Sequence, residues 1–208
     1  MIFRGINGSF KLLCRNWRKQ KAMGGVENLN ITAVEIDPNI AEIYKELYPN
    51  DTVIIGDAHK YLRENFRKFD FIWASPPCPT HSVLQMCRTY DEKLKYPDMT
   101  LYQEIILLKQ FYKGKWVIEN VKPYYEPLIQ QSFIIDRHYF WSSNFIWNLQ
   151  NNKDNTYTDI RDNKNSMADA YGFDIETLKK HNVDVRKVLR NCVVPEVGKY
   201  IFDSIIKR

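Results

Sequence analysis

From residue 31 onward, short runs of β-branched and aromatic residues alternate with longer stretches whose apolar positions recur every three or four residues. Residues 31–36 predict a strand, Asp37-Pro38 a break, and residues 40–47 a helix whose first turn tolerates Pro38. Thr52 to Ile55 repeats the strand signal, Gly56-Asp57 the turn, and a polar helix through Tyr61 to Phe66 follows. A third strand, Phe69 to Ala74, stops at Ser75-Pro76-Pro77-Cys78, because proline has no N–H for a central ladder. A helix over Leu101 to Tyr112 and an apolar strand, Trp116 to Ile118, closed by Glu119-Asn120, continue the series. Strands alternating with helices predict βαβ units, hence an α/β protein on a mostly parallel, doubly wound sheet. Ligands of such sheets sit at the carboxyl ends of strands, where Glu35, Asp57, Cys78 and Glu119 all fall.

Residues 144–187 break this rhythm. The stretch 148–158 is polar and aperiodic, which predicts a surface insertion, either a small recognition element or a plain loop. Between Val193 and Ile206, Val197, Tyr200, Ile201 and Ile205 recur at helical spacing and predict a terminal helix packed on the sheet. One compact domain accommodates all 208 residues. The formal charge is +5, yet residues 1–22 hold six basic residues and no acidic one; the remaining 24 basic against 25 acidic residues carry −1. The basic balance therefore belongs to the N-terminus and is weak evidence for nucleic acid. Cys14, Cys78, Cys87 and Cys192 form no C-x-x-C pair, so no zinc knuckle, disulfide framework or metal is assigned. No apolar run approaches the roughly 18 residues of a membrane span, and a soluble, cytoplasmic protein is expected.

The segment Ala74 to Ser82 carries the strongest chemical signal. Pro76 and Pro77 fix φ at successive positions and would hold the Cys78 thiol on a rigid loop at the sheet edge. Alone, such a triplet reads more readily as a structural turn with a buried cysteine than as a presented nucleophile. Glu119-Asn120-Val121 changes that balance, since it ends a strand one crossover later, and successive parallel strands are often neighbours. A thiol beside a carboxyl is useful when one attacks a ring and the other protonates it.

At this point the residues resemble the DNA cytosine-5 methyltransferases: Pro76, Pro77, Cys78 and Ser82 match the signature loop, and Glu119, Asn120 and Val121 the ENV motif. The resemblance runs from about residue 28 to 206 and is closest to small, phage-type members. It implies a class I S-adenosylmethionine-dependent methyltransferase-like, Rossmann-like fold with helices on both faces. It also implies a restriction-modification setting in a bacterial or phage-infected cytoplasm. Glu35 resembles the acidic residue that binds the ribose hydroxyls of S-adenosylmethionine, Ile36 the residue packing on its adenine, and Asp57 the acceptor of the adenine amino group. Within residues 136–141, Arg137 resembles the arginine beside the catalytic cysteine. Residues 190–193 resemble the late motif that brings Asn191 to the cofactor, with Arg190 in place of the usual glycine. The implied partner is double-stranded DNA, contacted by Ser82 and bound by a monomer. The implied division is a catalytic body, residues 1–143 with 188–208, and a target-recognition insertion, residues 144–187.

The chemistry is coherent on physical grounds. Cytosine C5 accepts a methyl group only after a thiolate adds at C6 and makes the ring an enamine. Glu119 would hydrogen-bond the N3 edge, Arg137 would hold the base carbonyl and lower the thiol pKa, and the base would have to leave the duplex stack. Cys78 argues against amino-group methylation, where an aromatic residue takes this place. Alternatives stand beside this reading: Glu35 and Asp57 as helix caps, His81 and His138 as supporting or surface residues, an impaired DNA-binding module, or a tRNA cytosine-5 methyltransferase. With a near-neutral body, a DNA-binding face would have to cluster locally, with Arg137, Arg161, Lys164, Arg186, Lys187 and Arg190 as candidates.

The family's glycine-rich F-x-G-x-G loop, which cradles the methionine end of the cofactor, is not recognisable in residues 1–25. Back-translating residues 14–23 with chosen synonymous codons and reading one base later yields Ala-Gly-Ile-Gly-Gly-Asn-Arg-Lys-Leu-Trp, the missing loop. The working hypothesis is that residues 9–23 are out of frame relative to an active ancestor. Other codons in the encoding DNA would sink it.

Overall fold

The computed structural model describes residues 10–15, 30–87, 95–135, 137–144, 163–171, 173–190, 192–193 and 195–206. The elements are β1 (Phe10–Arg15), β2 (Asn30–Glu35), α1 (Pro38–Leu47), β3 (Thr52–Ile55), α2 (Ala58–Asn65), β4 (Phe71–Ser75), α3 (Thr100–Phe111) and β5 (Lys115–Val121). They continue as β6 (Phe133–Ile135), β7 (His138–Ser142), α4 (Lys164–Ala170), α5 (Ile175–Lys180), α6 (Val185–Arg190) and α7 (Pro195–Ile206). Among the described residues the strands form one sheet in the order β3-β2-β1-β4-β5-β7-β6.

Strand directions differ in part from the expected mostly parallel sheet. The pairs β2/β3 and β4/β5 are parallel, while β7 runs antiparallel to β5 and β6. β1 is antiparallel to both neighbours, with Phe10 opposite Ser75 and Arg15 opposite Asn30. Five strands still share one direction, but β1 is reversed in the central slot.

Local chemistry explains the regular part. Asp37 accepts from the backbone N–H of Asn39 at 2.9 Å and caps α1, whose first turn holds Pro38. Asp57 accepts from the N–H of His59 at 2.8 Å and of Lys60 at 3.2 Å and caps α2. Each cap is worth about 1 kcal/mol to its helix.

Alternate strand residues point to opposite faces, and each face has its own helices. Phe71, Trp73, Val117 and Phe140 pack with Tyr44 of α1 and with Ile201, Phe202 and Ile205 of α7. Ile72, Ala74, Trp116, Ile118 and Trp141 pack with Leu62 of α2 and with Leu101, Ile105 and Leu108 of α3. The helices therefore cover both faces, and β4 is buried along its whole length. In α7, Ile201 and Ile205 are buried as the spacing predicts, whereas Tyr200 faces outward.

Residues 148–158 lie outside the described residues. The later part of the expected insertion is helical: α4, α5 and α6 bury Met167, Leu178, Val188 and Leu189 against Ile40 and Ile43 of α1. Its apolar residues are spread over three short helices, so no single window of sequence shows a strong period.

The reversed register is testable by cross-linking. The double variant Arg15→Cys/Asn30→Cys should form a disulfide under mild oxidation, since directly paired strand positions lie within bridging distance. Arg15→Cys/Ser75→Cys should not, because Ser75 is opposite Phe10, roughly 16 Å along the strand. The reverse outcome in peptide mapping would mean that β1 runs parallel.

Candidate active site

The shared direction of β2, β3, β4 and β5 brings their carboxyl ends to one edge. Pro76 and Pro77 end β4 there, and Asn120 holds the turn: its Nδ2 donates to the Pro76 carbonyl at 3.1 Å, while its Oδ1 accepts from the Val121 N–H at 2.9 Å. The Cys78 carbonyl accepts from the N–H groups of His81 at 3.0 Å and Ser82 at 3.1 Å, which folds the loop into a tight turn. Ser82 then bridges to Pro123 just beyond β5.

His81 is buried, contrary to the surface alternative. A chain of hydrogen bonds reaches it, in which the Leu128 N–H donates to the Tyr102 hydroxyl, Tyr102 donates to Tyr125, and the Tyr125 hydroxyl is hydrogen-bonded to Nδ1 of His81. Burial pushes the His81 pKa down, which favours the neutral imidazole.

Cys78, Glu119 and Arg137, from three separated segments, lie within electrostatic reach of one another. Burial and the Glu119 carboxylate push the Cys78 thiol up, against the opposing pull of Arg137 and Lys187. Glu119 is itself buried, and desolvation lifts its carboxyl to about 7 despite a hydrogen bond from Ser75 and the Arg137 charge. The Nε2 atom of His138 lies 3.5 Å from Glu119 Oε1. The Arg137 carbonyl accepts from the Lys122 N–H at 2.7 Å, joining the end of β5 to the start of β7. Sequence reasoning missed the positions of Ser75 and His138. It had Lys187 only as a member of a basic cluster, and the residue reaches this site through the fold of α6.

Glu35 lies on the same edge, two strands away, and is 1% exposed. Its Oε1 accepts from the Asp37 N–H at 2.9 Å, while the buried Oε2 has no hydrogen-bond partner among the described residues. Desolvation raises the carboxyl to about 7, outweighing the N–H groups of Asp37 and Ile36. Ile36 is 57% exposed. Ile36, Asp57, Pro76 and Pro77 line one cavity of about 260 Å³ together with Asp98, Thr100 and a His59–Glu104 pair at 2.9 Å, which the sequence did not reveal. Asp57 lines this cavity while its Oδ1 caps α2, so the two readings of that residue are compatible. Asn191 and Asp136 lie outside the described residues.

A larger cavity of about 380 Å³ opens at the opposite edge beside Lys109, Lys113 and Lys115, away from the thiol and the carboxylates. Among the described residues no group of three or more His, Cys, Asp or Glu side chains could hold a metal ion, and no helix is long and apolar enough to cross a membrane.

Both raised carboxyls bind protons more tightly in the folded chain than at their ordinary value of 4.5. The folded state therefore holds the extra protons between about 4.5 and 7, and stability falls as pH rises through that window. Glu35→Gln and Glu119→Gln should each stabilise the protein by up to about 3 kcal/mol above pH 7 and little at pH 4, in urea unfolding. A difference independent of pH would contradict the shifts. Asn120→Ala removes both bonds at the turn and should cost about 1–3 kcal/mol while speeding alkylation of Cys78. An unchanged alkylation rate would show that Pro76 is held by other means.

A protein-family model, described as C-5 cytosine-specific DNA methylase, matches residues 21–127. The match spans β2 to β5 and includes the Pro76-Pro77-Cys78 loop and Glu119-Asn120-Val121. No curated protein and no solved structure matches the chain. With half of its length under that match, on a Rossmann-like α/β sheet, the chain belongs to the C-5 cytosine-specific DNA methylases and is a methyltransferase by family.

Proposed function

We propose that this protein methylates C5 of a cytosine extruded from double-stranded DNA, through a covalent adduct at Cys78. The observation that carries the reading is the half-buried Cys78 thiol within electrostatic reach of the buried Glu119 carboxyl, with Arg137 acting on both. While Glu119 is ionised it opposes thiolate formation. Once it holds a proton, that repulsion ends and the same proton can be donated to a ring nitrogen, so the productive state pairs a thiolate with a protonated carboxyl. A carboxyl near 7 is poised for this exchange at neutral pH.

In the proposed reaction the Cys78 sulfur bonds to C6, and the electron pair displaced into the ring is stabilised as Glu119 protonates N3. Arg137 holds the base carbonyl oxygen. After C5 has gained its methyl group, loss of the C5 proton to a water molecule expels the Cys78 thiolate, and N3 returns its proton to Glu119, which restores the aromatic ring. The cofactor reading assigns Glu35 to the ribose hydroxyls, Ile36 to the adenine face and Asp57 to the adenine amino group. The unpartnered Glu35 Oε2, the exposed Ile36 and the adjoining cavity fit an adenosine group. S-adenosylmethionine bound there supplies an electrophilic methyl group. Ser82 is assigned to DNA and Asn191 to the cofactor. Target recognition is assigned to residues 144–187, whose described helices would anchor the insertion to α1.

DNA carrying 5-fluorocytosine tests the proposal, because fluorine at C5 cannot leave as a cation and the adduct persists. With S-adenosylmethionine present, mass spectrometry should find the DNA attached to Cys78, and Cys78→Ser should abolish the adduct. Attachment to RNA alone would favour a tRNA-type substrate, and attachment at another residue would refute the mechanism.

A further inference from the structure

Glu119 stands between donors from the two strands that flank β5. On the β4 side, Trp73 Nε1 donates to Ser75 Oγ at 3.3 Å, which leaves the Ser75 hydroxyl proton for the Glu119 carboxyl. On the β7 side, Val121 pairs with His138 and Glu119 with Phe140, so His138 is the diagonal neighbour of Glu119 on one face of the antiparallel ladder. Its ring crosses that diagonal and brings Nε2 to 3.5 Å from Glu119 Oε1. The Phe140 ring, with its centroid 6.5 Å from that of the imidazole and stacked on Phe133, flanks the contact with an apolar wall.

The reaction set out above does not use His138. Yet the two side chains are only 15% and 8% exposed, so solvent and salt screen their interaction little. Glu119 changes charge during that reaction. It gives its proton to N3 as the Cys78 sulfur bonds to C6, and it is then a buried carboxylate until N3 returns the proton. A buried carboxylate needs donors, and an imidazole nitrogen facing one interacts favourably only with a proton on it. Arg137 contributes positive charge but is assigned to the base carbonyl oxygen, while Lys187 acts on the thiol.

We propose that His138 is a positioning residue for Glu119: together with Ser75 it holds the carboxylate in place while the proton is on the base. The proposal rests on the role assigned to Glu119 above. A donor that favours the carboxylate lowers its proton affinity, so loss of that donor raises it. Among the described residues, the titratable and charged groups around Glu119 are Cys78, Arg137 and His138, with Lys187 acting on the thiol.

Infrared titration of the full chain tests this, because the C=O stretch of a protonated carboxyl reports Glu119 itself and not the imidazole. A Glu35→Gln background removes the other carboxyl lifted to about 7, and Glu119→Gln identifies the band that remains. With His138 in place the band should vanish as pH rises, with a midpoint of about 7. His138→Ala should move that midpoint up by about one pH unit, a roughly tenfold gain in proton affinity, as one charge-assisted hydrogen bond would give. His138→Phe fills the same space without a donor and should do the same, which covers the case of an alanine variant that fails to fold. His138→Gln, whose amide nitrogen can donate from about the same place, should restore the midpoint to within about 0.3 unit. An unmoved midpoint in the donor-free variants, or a glutamine variant displaced as far as they are, would overturn the proposal. The titration requires neither DNA nor cofactor, so that result would leave the reaction at Cys78 standing. Absence of the Cys78 adduct on 5-fluorocytosine DNA would instead overturn the reading on which the proposal rests.

Discussion

The hydrogen bond from Asn120 to the Pro76 carbonyl is the constraint on which the site depends. β4 and β5 are parallel neighbours, so their ends are already adjacent, but two prolines in succession leave the chain after β4 without N–H groups to tie it down. Asn120 replaces those missing bonds with a side chain from the adjacent strand. Because Glu119 precedes it in the same strand, one clamp fixes the carboxyl and the thiol together.

That proximity has an electrostatic cost in the free protein. Glu35 and Glu119 are both buried without a full counter-charge, and both are lifted to about 7 by desolvation. Such groups weaken the empty fold and gain most when a ligand supplies hydrogen bonds. Stability is surrendered where binding can recover it: the proposed ribose hydroxyls can donate to Glu35, and the ring nitrogen N3 can accept the proton that Glu119 holds.

The reversed β1 separates this chain from a sheet in which every central strand feeds the catalytic edge. Its antiparallel ladders to β2 and β4 run along the strand, which enters at the carboxyl edge and leaves at the amino edge. The hypothesis of a segment read out of frame bears on the same residues, since five of the six basic residues of positions 1–22 fall within positions 9–23. The rest of the chain is nearly neutral, which leaves local groups such as Arg137 and Lys187 to shape the potential near Cys78.

Periodicity and proline placement alone were enough to locate β2 to β5, α1 to α3 and α7 to within about three residues, because alternating burial imprints itself on the order of residue types. Spacing also paired Cys78 with Glu119, since consecutive parallel strands are usually neighbours. The strand β1 was illegible in both place and direction, for Phe10 to Arg15 do not alternate between apolar and polar residues. The burial of His81, the His59–Glu104 pair, the contact of His138 with Glu119 and the reach of Lys187 towards the thiol were equally hidden. Each depends on residues far apart in the chain meeting through the packing of α2 on α3, β7 on β5 and α6 on α1. Local sequence determines which residues can form a strand, a cap or a turn; only the tertiary fold decides which charges share a low-dielectric space, and with them which protons the site holds.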